Sequence, residues 1–139
     1  MGPKVFISST YYDLKYIRED LSQFVKNYKF EAILFENGDI GYEPGKPLDE
    51  SCYRYISKSD MVILIVGGLY GSPATGEIQD KFNEYMSITR KEFQAAKDAD
   101  IPIFVFIDSE VALCLILLTI IYTGSSHFHK KNNPTKKGL

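Results

Sequence analysis

The sequence predicts a doubly wound α/β domain of flavodoxin-like type, and three observations predict it. Runs rich in β-branched and aromatic residues alternate with amphipathic helical stretches along residues 4–107. One of those runs, Met61-Val62-Ile63-Leu64-Ile65-Val66, is continuously apolar, as strands buried on both faces of a parallel sheet are. Polar and glycine residues follow each run. Such alternation implies right-handed crossovers, with helices on both faces of a mostly parallel sheet of four or five strands.

The first strand is read over Lys4 to Ser9, where Val5, Phe6 and Ile7 give way to Ser8, Ser9 and Thr10. Thr10-Tyr11-Tyr12-Asp13 has the form of a capping box, and Leu14, Ile17, Leu21, Phe24, Val25 and Tyr28 follow at helical spacing as one expected buried stripe. Phe30 to Phe35 reads as the second strand. A long turn-rich loop follows, with Glu36-Asn37-Gly38-Asp39, Gly41, Pro44 and Gly45, and loops of this length in compact domains are often functional. Leu48, Cys52, Tyr55 and Ile56 mark the second helix, and Met61 to Val66 is the central strand. Gly67-Gly68-Leu69-Tyr70-Gly71-Ser72 and a polar stretch lead to a third helix over Ser87 to Asp98. Pro102 sits early in the last strand, Ile101 to Ile107, where a missing N–H is tolerable.

Composition narrows the functions. With 139 residues and 45% hydrophobic content the chain can bury one core but not two ordinary ones. Sixteen basic and eighteen acidic residues, net charge −2, leave no basic stripe for nucleic acid. Cys52 and Cys114 match no metal-ligand spacing, and no signal-peptide apolar region opens the chain; a cytoplasmic protein without metal or required cofactor is expected. The histidines, His127 and His129, fall in the C-terminal tail, so Ser-His-Asp or Cys-His catalysis inside the domain is unavailable. Neither GxGxxG nor a P-loop occurs, and Gly45-Lys46-Pro47-Leu48 does not supply one. One α/β domain is expected over residues 1–108, an apolar closing segment over 109–123 and a disordered polar tail over 124–139. The apolar block Val111 to Tyr122 is shorter than the roughly 20 residues of a membrane-spanning helix.

In an open α/β sheet the ligand crevice lies beyond the carboxyl ends of the strands, where strand order reverses. Ser8, Ser9 and Thr10 follow strand one; Glu36, Asn37, Gly38 and Asp39 follow strand two; Gly67, Gly68 and Tyr70 follow strand three; Asp108 follows strand four. Each has an ordinary role as a cap or turn residue; their convergence is what suggests a site. Glu92 stands out because a carboxylate near the start of the third helix points at the same crevice and could stabilise a cation. Thr89-Arg90-Lys91-Glu92 is also a capping-box pattern, which would lock Glu92 onto backbone instead. Tyr70 could stack on a base, although burial is the commoner fate of a tyrosine. Arg18 and Arg54 could meet phosphate, but both lie on helices where exposure is ordinary. Lys46 is a weaker phosphate candidate.

Val5-Phe6-Ile7-Ser8-Ser9-Thr10-Tyr11-Tyr12-Asp13-Leu14, Ser59 to Ser72 and Ser87-Ile88-Thr89-Arg90-Lys91-Glu92-Phe93, in that order, resemble the TIR-like domains of unknown function, relatives of Toll/interleukin-1 receptor domains. The resemblance covers residues 4–108. It implies a three-layer sandwich with strand order 2-1-3-4 and room for a fifth strand. It also implies signalling or antiviral defence, self-association through TIR-type contacts, or cleavage of the nicotinamide–ribose bond of NAD with Glu92 as the essential carboxylate. On that resemblance Phe6, Ser8 and the Asn37 to Gly45 loop correspond to the nucleotide-binding edge, to which Ser9, Thr10, Gly67, Tyr70 and Ser87 are added. The aromatic-cysteine element that precedes the glutamate in enzymatic TIR domains is replaced by Ser87-Ile88-Thr89-Arg90-Lys91. Glu92-Phe93-Gln94-Ala95-Ala96 followed by Ile101-Pro102 also resembles nucleoside deoxyribosyltransferase-like proteins, which use a glutamate nucleophile. Both families attack an N-glycosidic bond. The other class of function is a non-enzymatic interaction or oligomerisation module.

Overall fold

The computed structural model describes residues 2–41, 44–77 and 85–129. Four strands, β1 (Lys4–Ser8), β2 (Glu31–Ile33), β3 (Met61–Val66) and β4 (Ile103–Ile107), form one sheet in the order β2-β1-β3-β4. Every neighbouring pair is parallel, with Phe6 beside both Ile33 and Val62 and Ser8 beside Leu64. This is the flavodoxin-like α/β fold, and its strand order reverses between β1 and β3. A fifth strand is not found among the described residues.

Alternation along β1 decides which side chains face which layer. Val5 and Ile7 pack with Leu14, Val25, Leu34 and Ile65 beneath α1 (Lys15–Asn27). Phe6 packs on the opposite face with Cys52, Ile56, Val62 and Ala96, beneath α2 (Leu48–Ile56) and α3 (Ile88–Asp98). Fully burying a side chain such as Phe6 or Ile56 contributes about 2 kcal/mol. Ser8, two residues beyond Phe6 and 1% exposed, therefore points to the α2/α3 side at the carboxyl end of a central strand.

Several elements depart from the sequence reading. The capping box at Thr10 does not form: Thr10 Oγ1 donates to Asp13 Oδ1 at 2.5 Å, and α1 starts at Lys15 after Leu14 without a side-chain cap. Ile17, Phe24 and Tyr28 are exposed rather than buried, and the buried face of α1 carries Arg18, Ser22 and Val25. Phe24 and Tyr28 pack on each other, ring centroids 4.8 Å apart. β2 ends at Ile33 rather than Phe35, because the Leu34 N–H goes to Asp39 Oδ2 (3.2 Å) and the chain turns through a 3-10 turn, Phe35–Asn37, closed by Gly38 at φ 73°. β4 begins after Pro102, whose carbonyl accepts the Val62 N–H at 2.9 Å.

Residues 1–107 make one compact unit and residues 108–139 a second. The second holds α4 (Ser109–His129), which begins where Asp108 Oδ1 accepts the Glu110 N–H at 2.8 Å. The helix includes the first residues of the segment read as a polar tail; residues 130–139 lie outside the described residues. Among the described residues no helix is long and apolar enough to cross a membrane.

Candidate functional site

Ser8 and Glu92 meet beyond the end of β1. Ser8 Oγ donates to Glu92 Oε2 at 2.5 Å, a contact buried between β1 and the second turn of α3. Glu92 does not cap its helix. Ser87 is the N-cap, its hydroxyl accepting the Arg90 N–H at 3.2 Å, and this leaves the Glu92 carboxylate free to face inward. Ser87 is itself fixed by an antiparallel bridge to Pro73, with Ala74 N–H to Met86 O and Ile88 N–H to Ser72 O, both 3.0 Å.

Glu92 lines an inner cavity of about 150 Å³ whose walls include Phe6, Arg18, Phe35, Glu36, Asp49 and Cys52. Through Ser9, Tyr11, Phe35 and Ile88 this cavity shares its wall with a wider cleft of about 630 Å³, which Thr10, Asp13, Tyr70 and Tyr85 also line. Apolar walls with a few convergent polar groups are the usual form of a small-molecule site.

The charges around the inner cavity are organised by two clamps. Arg18, 4% exposed, donates to both carboxylate oxygens of Glu36, Nε to Oε1 at 2.6 Å and Nη2 to Oε2 at 2.7 Å, and its Nη1 reaches Ser9 Oγ at 2.8 Å. This fork-to-fork geometry is the strong form of a charged hydrogen bond. Burial raises the Glu36 carboxyl, but the Arg18 hydrogen bonds, a backbone hydrogen bond and the Arg18 charge together outweigh it and hold the group below its ordinary value. Asp49 is the second clamp. Its Oδ2 accepts the Thr75 N–H (2.8 Å) and the Tyr53 hydroxyl (3.0 Å), and its Oδ1 accepts Thr75 Oγ1 (2.5 Å). Burial raises Asp49 too, and the Thr75 bonds hold it below its ordinary value.

Glu92 goes the other way. Burial, opposed by the Ser8 hydrogen bond and by Arg18 but reinforced by Glu36 and Asp49, pushes its carboxyl up to about 7. It is poised to change charge near neutrality, as acid–base and nucleophilic groups often are. Cys52 beside it is a different matter: burial and then the Glu92 and Asp49 carboxylates push the thiol up to about 12, so it stays protonated and is a poor nucleophile.

The sequence candidates separate accordingly. Phe6, Ser9 and Glu92 line the inner cavity and Ser8 holds Glu92, while Thr10 and Tyr70 line the outer cleft. Tyr70 is 48% exposed instead of buried; its hydroxyl donates to Tyr85 O at 2.8 Å, and the rings lie 5.3 Å apart. Gly67 and Ser87 border a third hollow beside Tyr70 and Arg90, where a Cβ at Gly67 would come 3.0 Å from Asp13. Asn37 lines a groove along α1 with Lys15 and Glu19, away from Glu92. Gly38 and Asp39 do turn work rather than lining the cavity. Lys46 lines none of these cavities. Asp108 belongs to the second unit. Residues 42–43 of the long loop and 78–84 lie outside the described residues.

Tyr11, Phe35, Asp49 and Cys52 are among the wall residues that were not legible as site residues. Asp49 stands in the first turn of a helix, where an acid is ordinary complement to the helix dipole; only its Tyr53 partner four residues on hinted at more. Arg18, expected to be exposed, is buried because Glu36 and Ser9 both lie within its reach.

Two solved structures are similar to the chain. The CMP N-glycosidase BcmB of Clostridium botulinum aligns at 17% identity over 75% of this chain and 71% of that one, with a TM-score of 0.48. A 2-deoxyribosyltransferase from the psychrotolerant bacterium Bacillus psychrosaccharolyticus aligns at 16% identity over 75% and 72%, with a TM-score of 0.52, which shows a common fold. No curated protein matches the chain. Residues 4–114 match the family model for the domain of unknown function DUF4062, and the chain belongs to that family.

Proposed function

We propose that this domain cleaves the N-glycosidic bond of a nucleoside-type substrate, with Glu92 as the carboxylate that meets the ribosyl cation. The observation that carries the reading is the placement of Glu92. It is buried, oriented by Ser8, and forms part of the wall of a cavity of about 150 Å³ that adjoins a wider cleft. The inner chamber suits a furanose and the aromatic-rimmed outer cleft suits the departing base.

In this reaction the bond between the anomeric carbon and the base nitrogen breaks, and its electron pair leaves with the base. The ionised Glu92 carboxylate stabilises or traps the oxocarbenium-like centre, as carboxylates do in glycoside hydrolysis. Water, or a second base in a transfer reaction, then takes the sugar. The deoxyribosyl transfer named for the Bacillus psychrosaccharolyticus neighbour is chemistry of this class on a common fold. The nicotinamide–ribose bond of NAD, the substrate implied by the resemblance to TIR domains, is another member of the same class.

The test is release of free base from a panel of nucleosides, their 5′-monophosphates and NAD, followed chromatographically. Release that is lost in Glu92→Gln supports the reading. A folded protein that releases no base from any of them, at concentrations where it self-associates, overturns it in favour of an interaction module. The exposed Ile17, Phe24 and Tyr28 on α1 are the feature that would favour that second reading.

A further inference from the structure

We infer that the Arg18–Glu36 clamp makes this site select sugars with an uncharged 5′ end, so that nucleosides are substrates and their 5′-phosphorylated forms are rejected. The inference rests on the proposed N-glycosidic reading and narrows its substrate class.

The argument is a charge balance around the inner cavity. Among its described lining residues are three carboxylates, Glu36, Asp49 and Glu92, against one cation, Arg18. That cation is already spent. Both carboxylate oxygens of Glu36 are within 2.7 Å of its nitrogens, and the remaining arm of its fork is on Ser9. With four of its five N–H donors directed at Glu36 and Ser9 and its charge matched by Glu36, this guanidinium offers a phosphate little donor capacity and no net charge.

The hydroxyls that could replace it are committed as well. Ser8 donates to Glu92, Ser9 to Thr10 O, and Thr10 to Asp13. The outer cleft adds the Asp13 carboxylate, and among its described lining residues there is no lysine or arginine. Lys15 and Lys26 line the groove along α1, where Glu19 and Asp20 accompany them. Arg90 borders the hollow beyond Tyr70, its Nη1 3.4 Å from that phenol oxygen. A phosphate on the 5′ oxygen is held close to the furanose ring through C5′ and O5′, so a sugar seated in the inner cavity brings it well inside a Debye length of Asp49 and Glu92. Like charges brought together in this way cost several kcal/mol of specificity and are a common means of rejecting a wrong ligand.

The experiment compares kcat/KM for matched pairs, cytidine with CMP and nicotinamide riboside with nicotinamide mononucleotide, in the wild-type chain and in Glu36→Gln. The wild type should prefer the unphosphorylated partner by at least about tenfold, the equivalent of 1.4 kcal/mol. Glu36→Gln releases one charged arm of the clamp and should shrink that preference severalfold. Inorganic phosphate at millimolar concentration should leave wild-type nucleoside cleavage unaltered, a readout that does not depend on the variant folding. Equal or faster cleavage of the phosphorylated partner, inhibition by phosphate, or an unmoved ratio in a folded Glu36→Gln overturns the inference while leaving N-glycosidic cleavage standing. Absence of cleavage for every pair overturns the parent reading and this inference with it.

Discussion

Ser8 Oγ and Glu92 Oε2 lie 2.5 Å apart across 84 residues of sequence, and both side chains are buried. The end of the first strand and the second turn of α3 are thereby joined through a carboxylate that burial disfavours in its charged form. Such a group is a stability liability when ionised and a reactive one for the same reason.

Glu92→Gln should therefore remove base release and stabilise the protein above neutrality. The folded-state value of about 7 exceeds the ordinary 4.5, so between these values the folded chain holds a proton that the unfolded chain has lost. Stability contributed by the protonated group is complete below pH 4.5 and is lost as pH rises through about 7. Glutamine keeps the acceptor for Ser8 and never ionises. Urea denaturation at pH 8 should show the variant more stable by as much as about 3 kcal/mol, with the gap closing near pH 4. A variant less stable than wild type at pH 8 would contradict a buried, unfavourably charged Glu92.

Ser8→Ala should move the acid limb of the pH–rate profile upward. Ser8 is the leading influence that lowers Glu92 against its burial, and without that donor the carboxylate ionises at higher pH. Losing a hydrogen bond to a buried charge should also cost about 2 kcal/mol at pH 8. A profile that keeps its midpoint in Ser8→Ala would show that another group controls the titration.

The fold was legible because its signals are local. The apolar run Met61 to Val66 needs no partner to announce a central strand, and Pro102 marks a strand edge by its missing N–H. Glu92 was legible as a position but not as a geometry. Thr89 offers a cap three residues before it, and only Ser8, from the far end of the domain, decides that its side chain turns inward while Ser87 caps the helix. The face of α1 was misjudged for a related reason. Hydrophobic spacing nominates Ile17, Phe24 and Tyr28 for the core, yet the buried face carries Arg18, because ionic partners on the β1 and β2 ends satisfy it there. Spacing carries no information about such distant partners.

Arg18→Lys should behave much more like Arg18→Ala than charge conservation suggests. Lysine presents a point charge and cannot span the two Glu36 oxygens and Ser9 together. Removing the guanidinium leaves Glu36 partly buried without its counter-ion and should cost about 3 kcal/mol, read as a lower denaturation midpoint. Because Arg18 also lowers Glu92, a folded Arg18→Lys with a weaker clamp should shift the activity midpoint upward as well. Full retention of stability in Arg18→Lys would mean that the fork geometry contributes nothing.

Asp49→Asn should loosen the segment that leads into α3. Asp49 is where α2 grips that segment, through the Thr75 backbone N–H and hydroxyl, while Tyr53 donates to the same oxygen as the Thr75 amide. An asparagine keeps one acceptor oxygen and turns an amine toward groups that are themselves donors, so at least one buried bond is lost at a cost of about 2 kcal/mol. Asp49 ionises below its ordinary 3.8 in the folded chain; its contribution is present above that value and is lost as pH falls through the folded value. The difference between wild type and Asp49→Asn should thus be full at pH 7 and shrink in acid. Hydrogen exchange should show faster exchange at the Thr75 amide and at Ala74 and Ile88, whose bridge to the α3 start depends on the same segment, while β1 and β3 amides stay protected. Uniform acceleration across the sheet would instead mean that Asp49 supports the whole domain rather than the approach to Ser87 and Glu92.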